Sequence, residues 1–216
     1  MNWFTQTFAS SIGKKWLMAI TGLGFCGFLT THLAGNLFIY GGRDAFNSSA
    51  EHLHSLGPLV TLFELGLFTF AVLHVGSGLI LFYQNFRSRP NRYAANSSGG
   101  GRTIGSRTMP YTGLLILVFV IFHLSNFTLA DKTGTTIYEI VSRTFANPVN
   151  VLLYVLAMAV AAIHVSHGFW SAFQTLGANH PKYMPFIRGA GIVFSLVVGL
   201  GFGLRPIYLL SIACRW

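Results

Sequence analysis

Charge is what this chain has least of. Only 9% of its 216 residues are Asp, Glu, Lys or Arg, whereas a soluble domain carries about 25%. That shortage excludes an ordinary soluble globular protein. Acidic residues are the scarcest, five against fourteen basic ones, for a net charge of +9. Cysteine occurs twice, at Cys26 and Cys214. Without a C-x-x-C-H motif, covalent c-type haem attachment is not indicated, and both thiols are expected to be free.

What fills the chain is apolar. Hydrophobic residues make up 52% and aromatics 15%. Five apolar stretches, near residues 15–40, 57–86, 108–130, 148–176 and 186–213, exceed the roughly 20 residues needed to cross a bilayer. Backbone groups in lipid must be bonded internally, so each stretch reads as a helix. The first run is too long for a signal peptide and is expected to be retained. The fold class is therefore all-α and integral to the membrane: five transmembrane helices in one domain over 1–216.

The basic excess reads as topology, not as nucleic-acid binding. With the N-terminus inside, the inner segments hold Lys14, Lys15, Arg87, Arg89, Arg92, Arg102, Arg107, Lys182 and Arg188 and no acidic residue. The outer segments hold Arg43, Lys132, Arg143, Arg205 and Arg215 against Asp44, Glu51, Glu64, Asp131 and Glu139. This bias predicts an N-in, C-out chain. Trp16, Tyr40, Tyr83, Tyr111 and Tyr208 fall at span ends, as interfacial aromatics do.

Between the spans, residues 1–13 read as a short interfacial helix or a disordered start. Residues 41–55 read as an outer loop, and the glycine-rich 87–107 as a flexible inner one. Ile137, Val141 and Phe145 recur at helical spacing, which predicts a short amphipathic helix in the second outer connection.

The chain also repeats itself. Met18 to His32 and Met109 to His123 both fit M-x-x-T-G-L-x9-H. Spans two and four each place a glycine four residues after a histidine, Gly78 after His74 and Gly168 after His164. Two related hairpins plus a fifth helix result, as in other pseudo-symmetric membrane proteins.

One histidine lies deep in each of the first four spans: His32, His74, His123 and His164. An imidazole in hydrocarbon is costly unless paired, so each is a functional candidate. Depth sorts them. His32 follows Lys15 by 17 residues and His123 follows Arg107 by 16, which puts both roughly 25 Å above the inner edge. His74 and His164 follow Pro58 and Pro148 by 16 residues, roughly 24 Å below the outer edge. The expectation is two pairs at two levels, each a bis-histidine haem site and together a four-helix haem-binding bundle. Gly78, Gly168 and Gly35 would leave flat space for a porphyrin. Thr21 and Thr112, eleven residues before His32 and His123, fall at the inner level. His167, three residues after His164, is an alternative ligand that the depth count disfavours, and is read as a partner of a liganding imidazole or of a haem propionate.

These residues carry a family resemblance. GKKWLMAITGL, THLAGNLF, FNSSAEHLHSLGP, LHVGSG, SRTMPYTG, FHLSNFTL and HVSHGFWSAFQTLGANHPKY together resemble the single-subunit, five-helix di-haem cytochrome b membrane anchor of succinate:quinone oxidoreductases, which serves succinate dehydrogenases and fumarate reductases of the respiratory chain and tricarboxylic acid cycle. The resemblance covers nearly the whole chain. It implies His32 and His123 as ligands of a distal haem b and His74 and His164 of a proximal one. It also implies an FAD flavoprotein and an iron–sulfur subunit on the cytoplasmic face, and electron transfer to quinone, usually menaquinone, in a bacterial cytoplasmic membrane. A dimer of the complex stays open. The basic inner surface, including Arg87, Arg89, Arg92, Lys182 and Arg188, is the expected docking face. Some relatives carry a glutamate two residues before the fourth ligand, implicated in proton movement; Ala162 stands there in this chain.

Quinone chemistry moves protons and needs a titratable group. Glu64 is the one acidic residue placed inside a span, at the outer haem's depth, and His52 and His54 lie on the adjoining segment. These three form the expected proton-handling cluster. Two rival readings stand beside this one: the di-haem subunit of a hydrogenase or formate dehydrogenase, and a haem-free proton-coupled transporter.

Overall fold

The computed structural model describes residues 2–88 and 104–214. Arg89, Arg92, Arg102, the ANSSGGGR stretch and Arg215 lie outside them. Every regular element among the described residues is helical: α1 Trp3–Ala9, α2 Ser11–Leu37, a 3-10 turn Phe38–Gly41, α3 Gly42–Ser55, α4 Pro58–Arg87, α5 Ile104–Phe127, α6 Ile137–Phe145, α7 Pro148–Thr175 and α8 Met184–Ala213. Five of them, α2, α4, α5, α7 and α8, are long and apolar enough to cross a membrane, which bears out the all-α membrane class.

Local chemistry explains the boundaries. Pro58 and Pro148 begin α4 and α7, where a missing N–H costs nothing. The Asn147 side chain accepts from the Val149 N–H at 2.9 Å and caps α7. Gly57, at φ 56°, makes the reversal between α3 and α4 in a conformation that favours glycine.

The spans form two hairpins, α2 with α4 and α5 with α7, joined mainly through α2 and α7, and α8 packs along α7. Lipid offers no hydrophobic drive between helices, so small residues at the seams let backbones approach. A Cβ on Gly201 would stand 2.8 Å from Leu33, one on Gly199 3.0 Å from the Ala162 methyl, and one on Gly191 3.1 Å from Phe169. The outward faces remain apolar and exposed, among them Leu62, Phe63, Val118, Ile121, Val193 and Val197.

Two connections differ from simple loops. The amphipathic α6 forms where its spacing predicts, with Val141 5% and Phe145 0% exposed. A capping box holds it: Thr136 accepts from the Glu139 N–H and Glu139 from the Thr136 N–H. Residues 42–55, expected as loop, are instead the helix α3. It turns Phe46 inward, and its Asn47 side chain accepts from the Tyr138 N–H at 3.1 Å. Arg43 on α3 pairs with Glu139 on α6. Together α3 and α6 lid one end of the bundle over a cluster of Ile39, Phe46, Val141, Phe145, Val151, Tyr154 and Leu209. Beside this lid, the Asp131 carboxylate accepts from the Thr133 N–H at 2.9 Å, which holds it below the ordinary carboxylate range. Arg205, grouped by sequence with the outer-segment charges, is buried inside α8 at 5% exposure.

Candidate functional site

Four helices each contribute one half-buried histidine, and the structure brings these together as two pairs. His32 on α2 faces His123 on α5, with ring centroids 6.0 Å apart and planes at 90°. His74 on α4 faces His164 on α7, 6.5 Å apart at 64°. These are the partners that the depth argument selected.

At the second pair each ring is aimed by a threonine. Thr21 Oγ1 donates to the Leu17 carbonyl at 2.6 Å and lies 3.0 Å from His74 Nδ1. Its one proton is spent on the helix, so it accepts from the Nδ1–H. Thr112 repeats the arrangement: it donates to the Thr108 carbonyl at 3.0 Å and accepts from His164 Nδ1 at 3.1 Å. Both rings are thereby set in the tautomer that leaves Nε2 a free lone pair, as metal-ligating histidines are. The next residue in each motif clears room. A Cβ on Gly22 would meet His74 Cε1 at 3.3 Å, and one on Gly113 would meet His164 Cε1 at 3.4 Å.

The first pair sits in an aromatic box. Phe28 stacks on His32 at 5.1 Å, and Phe202 of α8 lies 5.3 Å away. Phe119, Phe127 and Tyr154 surround His123 at 5.9, 5.1 and 6.0 Å. The Tyr154 hydroxyl accepts from the Asn126 amide at 3.1 Å. His123 Nδ1 is buried with no hydrogen-bond partner.

This donor set fits haem iron. Among the described residues no group of three or more His, Cys, Asp or Glu gathers to chelate a bare ion. Two neutral imidazoles suit a metal whose other positions a macrocycle fills. Space is left beside the ligands: a Cβ on Gly35 or Gly78 would meet nothing within 4 Å, and one on Gly168 only the Met109 methyl at 3.9 Å.

The remaining candidates stand apart. His167 lies edge-on to Trp170 at 4.8 Å, with its Cβ 2.7 Å from where Gly105 would carry one. Arg188 covers the same Trp170 ring at 4.6 Å. His52 and His54 are exposed on the last turn of α3, and Glu64 is exposed on α4. No hydrogen bond or ion pair among the described residues joins those three. Sequence reasoning passed over Gly22, Gly113, Tyr154, Phe202 and Arg205. The first two were signalled by the repeated T-G. Tyr154 stands ten residues before His164, as Glu64 does before His74.

No family model and no solved structure matches the chain. Among curated proteins it is 26% identical over 151 residues to the succinate dehydrogenase cytochrome b558 subunit of Bacillus subtilis (strain 168), over 69% of this chain and 72% of that one. That likeness bears out the resemblance read from the sequence: this multi-pass helical membrane protein is similar to the cytochrome b membrane anchor of succinate:quinone oxidoreductases.

Proposed function

We propose that the chain is the membrane-anchor subunit of a bacterial succinate:quinone oxidoreductase, linking an iron–sulfur partner to membrane quinone through two b haems held by His74–His164 and His32–His123. The single observation that carries this reading is the pair of imidazole couples, His32 with His123 and His74 with His164, with the Nδ1 atoms of His74 and His164 held by Thr21 and Thr112. When bound, the haems supply one-electron carriers along the bundle. The protein's part is to set the tautomer, orient the rings and exclude water.

Residues at the two ends take different roles. Arg87, Arg107, Lys182 and Arg188 are exposed at the end that begins α8 and finishes α4. That basic end is the cytoplasmic face in an N-in, C-out orientation, and it receives the iron–sulfur and FAD subunits. At the lidded end, Glu64 exchanges protons with quinone, menaquinone being the expected species, and His52 and His54 relay them. The pseudo-symmetry supports Glu64: its counterpart Tyr154 touches His123, so Glu64 stands at the level of His32. Arg43, a competing partner for Glu64, is engaged by Glu139.

Purification of the tagged chain from native membranes tests the assignment. The flavoprotein and iron–sulfur subunits should co-purify, and succinate should reduce both b components and an added quinone. Reduction by hydrogen or formate and not by succinate would overturn it.

A further inference from the structure

Among the described residues Arg205 is a buried cation with no acidic side chain paired to it. It is 5% exposed inside α8, and its Nε has no hydrogen-bond partner. The chain has five acidic residues, and the one ion pair among the described residues joins Arg43 to Glu139. An arginine does not shed its proton, and a lone charge in a low-dielectric interior is strongly unfavourable. The Phe145 ring, 5.5 Å from the guanidinium carbon, compensates only in part.

Its position says where the missing anion belongs. Phe202, one turn earlier on α8, packs on His32 at 5.3 Å. Arg205 is thus about 4.5 Å further along the helix, toward the lid formed by Phe145. The Phe145 ring that it covers lies 4.9 Å from Tyr154, whose ring is in turn 6.0 Å from His123. Pro206 has no N–H, so the Phe202 carbonyl also lacks its helical donor here. The guanidinium therefore borders the His32–His123 pair on its lidded side, and its planar fork matches a carboxylate.

We propose that Arg205 is the carboxylate anchor of the outer site, forming an ion pair with a propionate of the haem that His32 and His123 hold. The inference rests on the di-haem reading above. Arg205 ligates no metal; it is a positioning residue that fixes the porphyrin's rotation about the His–His axis and keeps the propionate ionised. A quinone oxygen, the rival occupant, is neutral and would leave the charge unbalanced.

The test compares wild-type complex with Arg205→Lys and Arg205→Leu, using haem content, redox titration of both b components, and infrared difference spectra with 13C in the haem propionate carboxyls. In Arg205→Leu one b component should be lost or titrate at lower potential while the other is unchanged, and an isotope-sensitive band should move from ionised carboxylate to protonated acid. Arg205→Lys keeps the charge without the fork. It should retain both haems with a shifted carboxylate band, and it decides the matter if Arg205→Leu fails to accumulate. Wild-type bands and midpoints in Arg205→Lys, or a change confined to quinone KM, would overturn the proposal. Wild-type complex with fewer than two haems would instead bring down the underlying reading, before any substitution is made.

Discussion

The Thr21 hydroxyl accepts from His74 Nδ1 at 3.0 Å while donating to the helix that carries it. Thr112 does the same for His164. The T-G of one hairpin arm thus serves the histidine on the other arm, so the sequence repeat marks a physical device. Removing the hydroxyl takes from the ring N–H its side-chain acceptor, at a cost of about 0.5–1.5 kcal/mol. Thr21→Val or Thr112→Val should weaken haem retention at the His74–His164 pair by about tenfold to a hundredfold, with Thr21→Ser restoring it. Haem dissociation followed optically checks this, and wild-type retention in both valine variants would contradict it.

Space beside the same rings is as tightly set. Gly22→Val and Gly113→Val put side chains where a single Cβ already meets the imidazole at 3.3 and 3.4 Å. Each should perturb the low-temperature spectrum of one b component and leave the other intact. Gly66→Val, at a position with nothing within 4 Å, should leave both unchanged.

Glu64→Gln should cut succinate–quinone turnover by about a hundredfold, the low end of what a positioned acid–base group contributes. Both haems should stay bound and reducible by succinate. Full turnover in that variant would remove Glu64 from the proton path.

Ala162 abuts α8, its methyl 3.0 Å from a Cβ on Gly199. A glutamate there must push the helices apart, so Ala162→Glu should lower the thermal midpoint of the complex, with overpacking alone costing about 1–3 kcal/mol. The chain offers no carboxyl at this position to compensate charge movement. Turnover in proteoliposomes is therefore expected to build a membrane potential, read with a voltage-sensitive dye; a silent dye at full turnover would contradict this.

The lid depends on its cap. Thr136→Ala removes half of the α6 capping box and should destabilise that helix by about 1 kcal/mol. Faster hydrogen exchange over Ile137–Phe145, with the spans unaffected, would show it.

Span number, the α6 helix and which histidines face each other were legible in the sequence because hydropathy, the Ile137–Val141–Phe145 spacing and helical rise are local quantities. Helix α3 was not. Its polar residues read as loop, and its helicity is upheld by contacts with α6 through Asn47 and Arg43. Arg205 was misplaced for a related reason: charge counting assigns an arginine in the outer half of a span to the surface, and only the packed structure, with Phe145 over its guanidinium, reveals its burial. The aromatic box around His32 and His123 draws its rings from four helices, α2, α5, α7 and α8, which no spacing rule joins.

The most direct measurement is haem quantitation with a reduced-minus-oxidised spectrum on the purified complex, in wild type and in His123→Ala and His164→Ala. Two protohaems per chain, with each substitution removing a different b component, is the predicted result. Fewer than two per chain, or a spectrum that neither substitution changes, would contradict the account.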